Sequence, residues 1–423
     1  MSRRAFQELL HADYTDPRAC CGYRARRDAR GRFAVGRRPT GAAIFRCEAA
    51  AGVLTEPYMQ AFGIFYPDMP MGVVGAPNGD LFVFSAGLSF GRFGPGRNLV
   101  PIGTYKFAGT LDRMAPAKTN GRWPAPSLMD GQRQPSPDGS DFDRDYAGGG
   151  PTYPERDPRW GNAPLLLQVY HGEYHETGKS FPFYGASGMA ISNNNGDEFT
   201  KIGEILSAHI SRDEFFGRQQ TGGVTADASL VEADANGNPV APNSGPAGVY
   251  MYAVFSDRED YGSRQGLAIA RIAKTDLLDA IARKTAPHFT KFVTASAAPG
   301  GMGGNFAEPG IGGKSTLIVE EKAYLATPSV AYDAALRKFV LCYQKNQKEL
   351  VLRTADNLLR WSEPTTVVSV PASSDVRVFY PSLVGTGNDP AVLGTSFDVY
   401  YLQRVMPGNR HVGFERVAVT ATP

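Results

Sequence analysis

The sequence predicts an all-β fold, a five-bladed β-propeller of four-stranded antiparallel blades. Three observations point there. The 423 residues include 48 Gly and 31 Pro, which supply turns, and 11% aromatics, which favour strands. A two-strand unit recurs along the chain. Further apolar segments then extend each unit towards four strands, at spacings of roughly 50–90 residues, as in propellers with long loops. Two separate β-sandwiches are the architectural alternative. With 42% hydrophobic and 20% charged residues the chain can bury a core and is not disordered. A helical bundle, a coiled coil and a membrane span of ~18 apolar residues are excluded.

Each unit opens with a short apolar strand after a polar residue or proline. A turn rich in Gly, Asp or Asn follows, then a strand heavy in Tyr, Phe and Val. Met69-Pro70-Met71-Gly72-Val73-Val74 with Leu81-Phe82-Val83-Phe84 is one copy. Asp227-Ala228-Ser229-Leu230-Val231 pairs with Val249–Phe255, Thr327–Tyr332 with Lys338–Tyr343, and Tyr380–Val384 with Phe397–Tyr401. Leu165–Tyr170 reads as the second strand of a further unit whose first strand the sequence does not place. Ser187–Ser192 and Gly266–Arg271 read as third strands, and Phe199–Gly203 as a fourth. Asp276–Ala282 gives the clear helical signal.

Residues 61–423 are expected to form the propeller, a single catalytic domain with a long loop insertion at about 110–160. Prolines and glycines crowd that insertion, which is placed to cover a site. Residues 1–60 are expected to form a basic arm able to complete the last blade. The formal net charge is +2, no electrostatic case for nucleic acid, but the first 50 residues hold eleven Arg and five acids. That arm reads as a solvated basic segment or as a contact for an anionic polymer or membrane surface. Ser2-Arg3-Arg4-Ala5-Phe6 resembles a twin-arginine export signal without the apolar stretch that follows one. Cys47 is within reach of a bridge to Cys20 or Cys21, and Cys342, in an apolar run, reads as a buried hydrophobe. The cysteine spacing suits no zinc site.

Two turns carry a family resemblance. Ser192-Asn193-Asn194-Asn195-Gly196-Asp197-Glu198-Phe199 resembles the Asp-box of sialidase-type propellers, Ser-x-Asp-x-Gly-x-x-Trp, with Asn194 for Asp and Phe199 for Trp. Thr354–Pro364, containing Asp356-Asn357 and Trp361, is similar to the corresponding turn of arabinanase- and invertase-like propellers. In both, Asx and Gly shape the turn while an aromatic packs back between sheets. Over about residues 65–420 the chain thus resembles the five-bladed glycoside hydrolases, furanosidases above all. The Arg-Ile-Pro entry motif of the sialidase branch is absent from the sequence.

The resemblance implies a glycosidase acting on a polysaccharide or oligosaccharide, with arabinan- or fructan-like substrates. A non-catalytic carbohydrate-binding propeller and a sialidase-like exo-glycosidase are the alternatives. Antiparallel pairing puts the start of each first strand and the end of each second strand on one face, where the resembled families hold substrate. On that face fall Asp68, Glu173 and Asp227, expected as base, acid and orienting group of a paired-carboxyl mechanism. Tyr170, His171, Asp257, Arg258, Lys314 and Tyr380 are expected to bind substrate. No cofactor is implied, although a structural calcium ion is allowed. The expected partner is carbohydrate, with neither nucleic acid nor a membrane span involved. A secreted or periplasmic location suits polysaccharide degradation.

Glu308-Pro309-Gly310-Ile311-Gly312-Gly313-Lys314-Ser315-Thr316 resembles a phosphate loop, but it leads into an apolar strand rather than a helix. His171-Gly172-Glu173-Tyr174-His175 lacks the His-Glu juxtaposition of the zinc-protease helix.

Overall fold

The computed structural model describes residues 44–55, 66–88, 103–110, 113–117, 126–161, 163–176, 182–218, 225–241, 244–260, 264–294, 304–405 and 410–422. Five antiparallel sheets follow one another along the chain as the blades of a propeller. The first holds Gly72–Gly75, Leu81–Leu88, Gly103–Thr110 and Arg113–Pro116, with Tyr66–Pro67 also on its second strand. The second holds Tyr146–Glu155, Leu165–His175, Phe183–Ser192 and Thr200–Leu206. The third runs from Thr225–Asp234 through Val249–Asp260 and Arg264–Ala273 to Thr290–Val293 and Asn305–Pro309. The helix Lys274–Arg283 interrupts it, on the segment whose pattern predicts one. The fourth comprises Leu325–Asp333, Lys338–Lys345, Glu349–Ala355 and Thr365–Ser369. The fifth takes Val376–Gly385, Ser396–Val405 and Arg410–Thr422 from the C-terminal end, and Ile44–Thr55 pairs antiparallel with the last of them as its outer strand. The fifth blade is therefore completed by hydrogen bonds between the two ends of the described chain, which closes the ring.

Five hydrophobic cores lie between neighbouring blades. Phe84 and Leu128 of the first meet Leu166 and Tyr170 of the second. Val169 and Met189 meet Leu230 and Phe255, and Val254 and Ile269 meet Val330 and Leu341. Val340 and Leu352 meet Val399 and Val419. Val73 and Phe107 meet Tyr400 and Phe414, which completes the circle. Strands covered on both faces explain the continuous apolar runs at Leu165–Tyr170 and Phe339–Tyr343.

The two resembling turns fold as their chemistry predicts. Ser192 Oγ accepts the Gly196 N–H at 2.9 Å, and Asn194 Oδ1 accepts the Glu198 N–H at 3.2 Å. Phe199 is buried edge-on against Phe84, with ring centroids 5.3 Å apart. In the fourth blade Trp361 Nε1 donates to the Leu358 carbonyl at 2.9 Å. Asn357 Nδ2 reaches the Asn236 carbonyl of the third blade at 2.7 Å.

The structure departs from the expected loop at 110–160. Arg113–Pro116, Leu128–Met129 and Tyr146–Glu155 are strands, and Tyr146–Glu155 is the first strand that composition hides. Its glycines answer to crowding. A Cβ on Gly150 would lie 1.9 Å from the Pro70 carbonyl oxygen, and one on Gly149 would lie 2.1 Å from Gln168 Oε1. Gly and Pro here mark close backbone approach in a strand rather than a turn. The short helix Arg212–Gly217, capped by Ser211, also lacked a sequence signal. The proposed Cys20 or Cys21 bridge lies outside the described residues. Cys342 is fully buried, and burial pushes its thiol pKa up.

Candidate active site

Four of the five inner strands share one irregularity. The ladder slips by a residue at 150–151, 227–228, 327–328 and 380–381, so each inner strand carries a bulge. In the first blade residues 68–71 interrupt pairing at the corresponding level. Past the bulge the blades are linked in sequence. Ser229 Oγ accepts the Val330 N–H at 3.1 Å, Ser329 Oγ the Leu383 N–H at 3.0 Å, and Ser382 Oγ the Met71 N–H at 2.7 Å. Asp227, Thr327 and Tyr380, at the bulges, have φ of 61°, 51° and 54°. Left-handed backbone at non-glycine residues costs on the order of 1–3 kcal/mol and tends to mark functional sites. Beyond the bulges one residue from each blade, Val73, Thr152, Ser229, Val330 and Leu383, lines a cavity. Asp68, Glu173 and Asp227 lie outside its lining, towards the other end of the inner strands.

There the ends of the second strands meet the starts of the inner ones. Asp68 is half-buried; its N–H donates to the Ala86 carbonyl at 3.0 Å, and its Oδ1 accepts from Tyr380 Oη at 3.1 Å. Burial, then the neighbouring charge of Glu173, push the Asp68 carboxyl up to about 7. The Tyr380 hydrogen bond and the charges of His171 and Arg404 oppose this only in part. Glu173 behaves oppositely. Its burial would raise the pKa, but His171 Nε2 at 3.1 Å and His175 Nε2 at 2.6 Å grip one oxygen each and hold it below the usual carboxylate range. An ionised carboxylate has no proton to give, so both imidazoles donate.

His171 is buried, which alone would lower its pKa. The bond to Glu173 and the charges of Glu173 and Asp227 outweigh burial and raise it. Its Nδ1 lies 3.7 Å from Asp227 Oδ1, and Arg258 Nη2 lies 3.9 Å from Asp227 Oδ2. Arg258 Nη1 donates to Tyr324 Oη at 2.7 Å, linking this arc to the fourth blade. Phe183 stacks on His175 at 5.7 Å between centroids and stands edge-on to His171 at 5.8 Å.

Of the residues singled out in the sequence, Asp68, Glu173, Asp227, His171, Arg258 and Tyr380 come together at this mouth. Three do not. Tyr170 sits one residue from His171 on a strand and so faces the other way. It is fully buried, stacked on Phe142 at 5.7 Å, and donates to Asp143 Oδ2 at 3.0 Å. Asp257 accepts from Ser315 Oγ, on the far side of the backbone from Arg258. Lys314 is exposed, its backbone N–H donating to Glu308 Oε2 at 3.3 Å. Sequence reasoning missed His175 and Phe183. The two-residue strand period carries the first of these, because His171, Glu173 and His175 share one face. Among the described residues no group of three or more His, Cys, Asp or Glu is placed to hold a metal ion, and no helix is long and apolar enough to cross a membrane.

No protein-family model matches the sequence, and no curated protein matches it. Solved structures do resemble the fold. A family 117 glycoside hydrolase from the marine bacterium Zobellia galactanivorans is 9% identical with a TM-score of 0.50, over 90% of this chain and 91% of that one. A glycosyl hydrolase from Bacteroides ovatus is 12% identical with a TM-score of 0.42, over 88% and 94%. A xylan β-1,4-xylosidase from Bacillus halodurans is 12% identical with a TM-score of 0.42, over 88% of this chain but 54% of that one. At 9% identity, what this chain shares with the family 117 glycoside hydrolase is the fold.

Proposed function

We propose that the chain is a glycoside hydrolase whose active site is the Asp68–Glu173–Asp227 mouth, acting on a furanoside polysaccharide or oligosaccharide of arabinan or fructan type. The observation that carries this reading is two carboxyls at one opening in opposite surroundings: Glu173 is clasped by two imidazoles that hold it low, while Asp68 accepts from the Tyr380 hydroxyl and burial lifts it to about 7. Paired carboxyls divided in this way are what glycosidic cleavage needs.

The electrostatics favour exchanging the roles expected from blade order. Asp68 keeps its proton to near neutrality and protonates the leaving oxygen. Glu173, ionised and oriented by two imidazoles, activates water or attacks the anomeric carbon. Asp227 supports the charge on His171 and, with Arg258, braces the third-blade side of the pocket. Phe183 and Tyr380 supply apolar surface for a sugar ring.

The test is hydrolysis of a panel of arabinans, fructans, xylans and sialosides, read as released reducing sugar. Turnover of a furanoside that is lost in Asp68→Asn and Glu173→Gln supports the reading. Binding without turnover across the panel favours a carbohydrate-binding propeller instead. Turnover of sialosides alone replaces the furanoside assignment.

A further inference from the structure

The segment before Tyr146 carries three aspartates in alternation, Asp141, Asp143 and Asp145, and each holds a different element. Asp143 is fully buried, with Lys201 Nζ 2.6 Å from Oδ2 and Tyr170 Oη donating to the same oxygen, which pins the segment to the second blade. Asp141 Oδ1 accepts from Arg212 Nη1 at 2.7 Å. Asp145 reaches the strand end that bears Glu173. Its N–H donates to the Glu173 carbonyl at 3.0 Å, and its Oδ2 accepts the His175 N–H at 2.8 Å. Arg144 completes the grip, donating through Nη2 to the His175 carbonyl at 2.8 Å and through Nε to Asp145 Oδ2 at 3.0 Å. Gln132 Nε2 holds the other Asp145 oxygen at 3.1 Å. Between them, Tyr174 is sandwiched by the guanidiniums of Arg144 and Arg212, each 3.8 Å from its ring centroid.

From this geometry we infer that Asp145, braced by Arg144, is a positioning residue that sets the Glu173 carboxylate and the His175 imidazole. This rests on the proposed role of Glu173. Neither side chain touches the mouth, so the effect passes through the backbone of residues 173–175. On one side this strand end pairs with residues 183–185; on the other the first-strand ladder stops at Tyr146, opposite Glu173, and Asp145 and Arg144 take over. Fixing its donors and acceptors on both sides of Tyr174 holds Glu173 on the face it shares with His171 and His175. Asp145 is only half-buried, so its replacement does not strand a charge in the core. Misplacing a reacting group by about 1 Å costs on the order of 100-fold in rate.

The experiment compares Asp145→Ala, Asp145→Asn and Arg144→Met in the full chain, each checked for wild-type folding by circular dichroism. Steady-state kinetics on the substrate found in the panel are measured with NMR titration of the His171 imidazole. The expected result is a fall of roughly 100-fold in kcat for Asp145→Ala with KM changed by less than about threefold. The His171 midpoint drops towards the ordinary value, and Asn restores most of both because its amide oxygen still accepts the His175 N–H. Arg144→Met shows a smaller fall in the same direction. Unchanged kcat and an unchanged His171 midpoint in a folded Asp145→Ala protein overturn the inference. If the wild-type protein hydrolyses nothing, the proposed function fails, and the His171 titration alone then decides whether Asp145 positions this strand end.

Discussion

Glu173 and His175 lie two residues apart on one strand, and the imidazole Nε2 of His175 stands 2.6 Å from the Glu173 carboxylate. His171, two residues the other way, takes the second oxygen at 3.1 Å. A carboxylate clasped from both sides along its own strand stays ionised where burial alone would neutralise it.

The first prediction concerns activity against pH. In the proposed mechanism Glu173 acts ionised and Asp68 protonated. Activity is expected to rise at a pH below the usual carboxylate range and to fall as pH passes about 7, where Asp68 loses its proton. The kcat/KM profile from pH 3 to 9 checks this. An alkaline limb that survives unmoved in Asp68→Asn would assign that limb to another group.

Replacing His175 by Gln removes the shorter clasp. The Glu173 carboxyl should then rise towards its ordinary value, and the acid limb of the profile should move to higher pH. His171→Gln should act in the same direction. Profiles superimposable on wild type would show that the imidazoles do not tune Glu173.

Asp68 also links pH to stability. Its folded value near 7 exceeds the ordinary 3.8, so the native state binds this proton more tightly than the unfolded chain. Rising pH between those values therefore removes native stability, and the loss is complete above the folded value. Asp68→Asn should raise Tm by about 2–4 °C at pH 8 and leave it near wild type at pH 4. Thermal melts at the two pH values decide; an equal shift at both would point to packing rather than ionisation.

Phe199 tests the blade interface. Phe199→Ala removes a buried ring from the contact between the first two blades and should destabilise by about 3–5 kcal/mol in denaturant melts. A loss below about 1 kcal/mol would mean that the Asp-box-like turn is held by its hydrogen bonds alone.

Much of this architecture was legible in the sequence. The two-strand units at Met69, Asp227, Thr327 and Tyr380 mark four inner strands because β-branched and aromatic runs announce strands buried on both faces. The strand at Tyr146 was not legible, because the glycines 148–150 that its close packing against Pro70 and Gln168 demands have the composition of a loop. Strand order brought Asp68, Glu173 and Asp227 to one mouth. It could not assign their protons, because burial and the His clasp come from the fold. Tyr170 failed as a site residue through the alternation that makes His171 one. Lys314 sits on an exposed glycine-rich turn, where its backbone N–H donates to Glu308.

The most direct test of the Asp68–Glu173 pairing is the turnover of Asp68→Asn and Glu173→Gln on a substrate that the wild-type protein cleaves, with binding measured in parallel. Each amide is expected to lower kcat by about 10²–10⁴-fold while substrate still binds. Turnover within a few-fold of wild type in either folded variant would contradict a mechanism built on these two carboxyls.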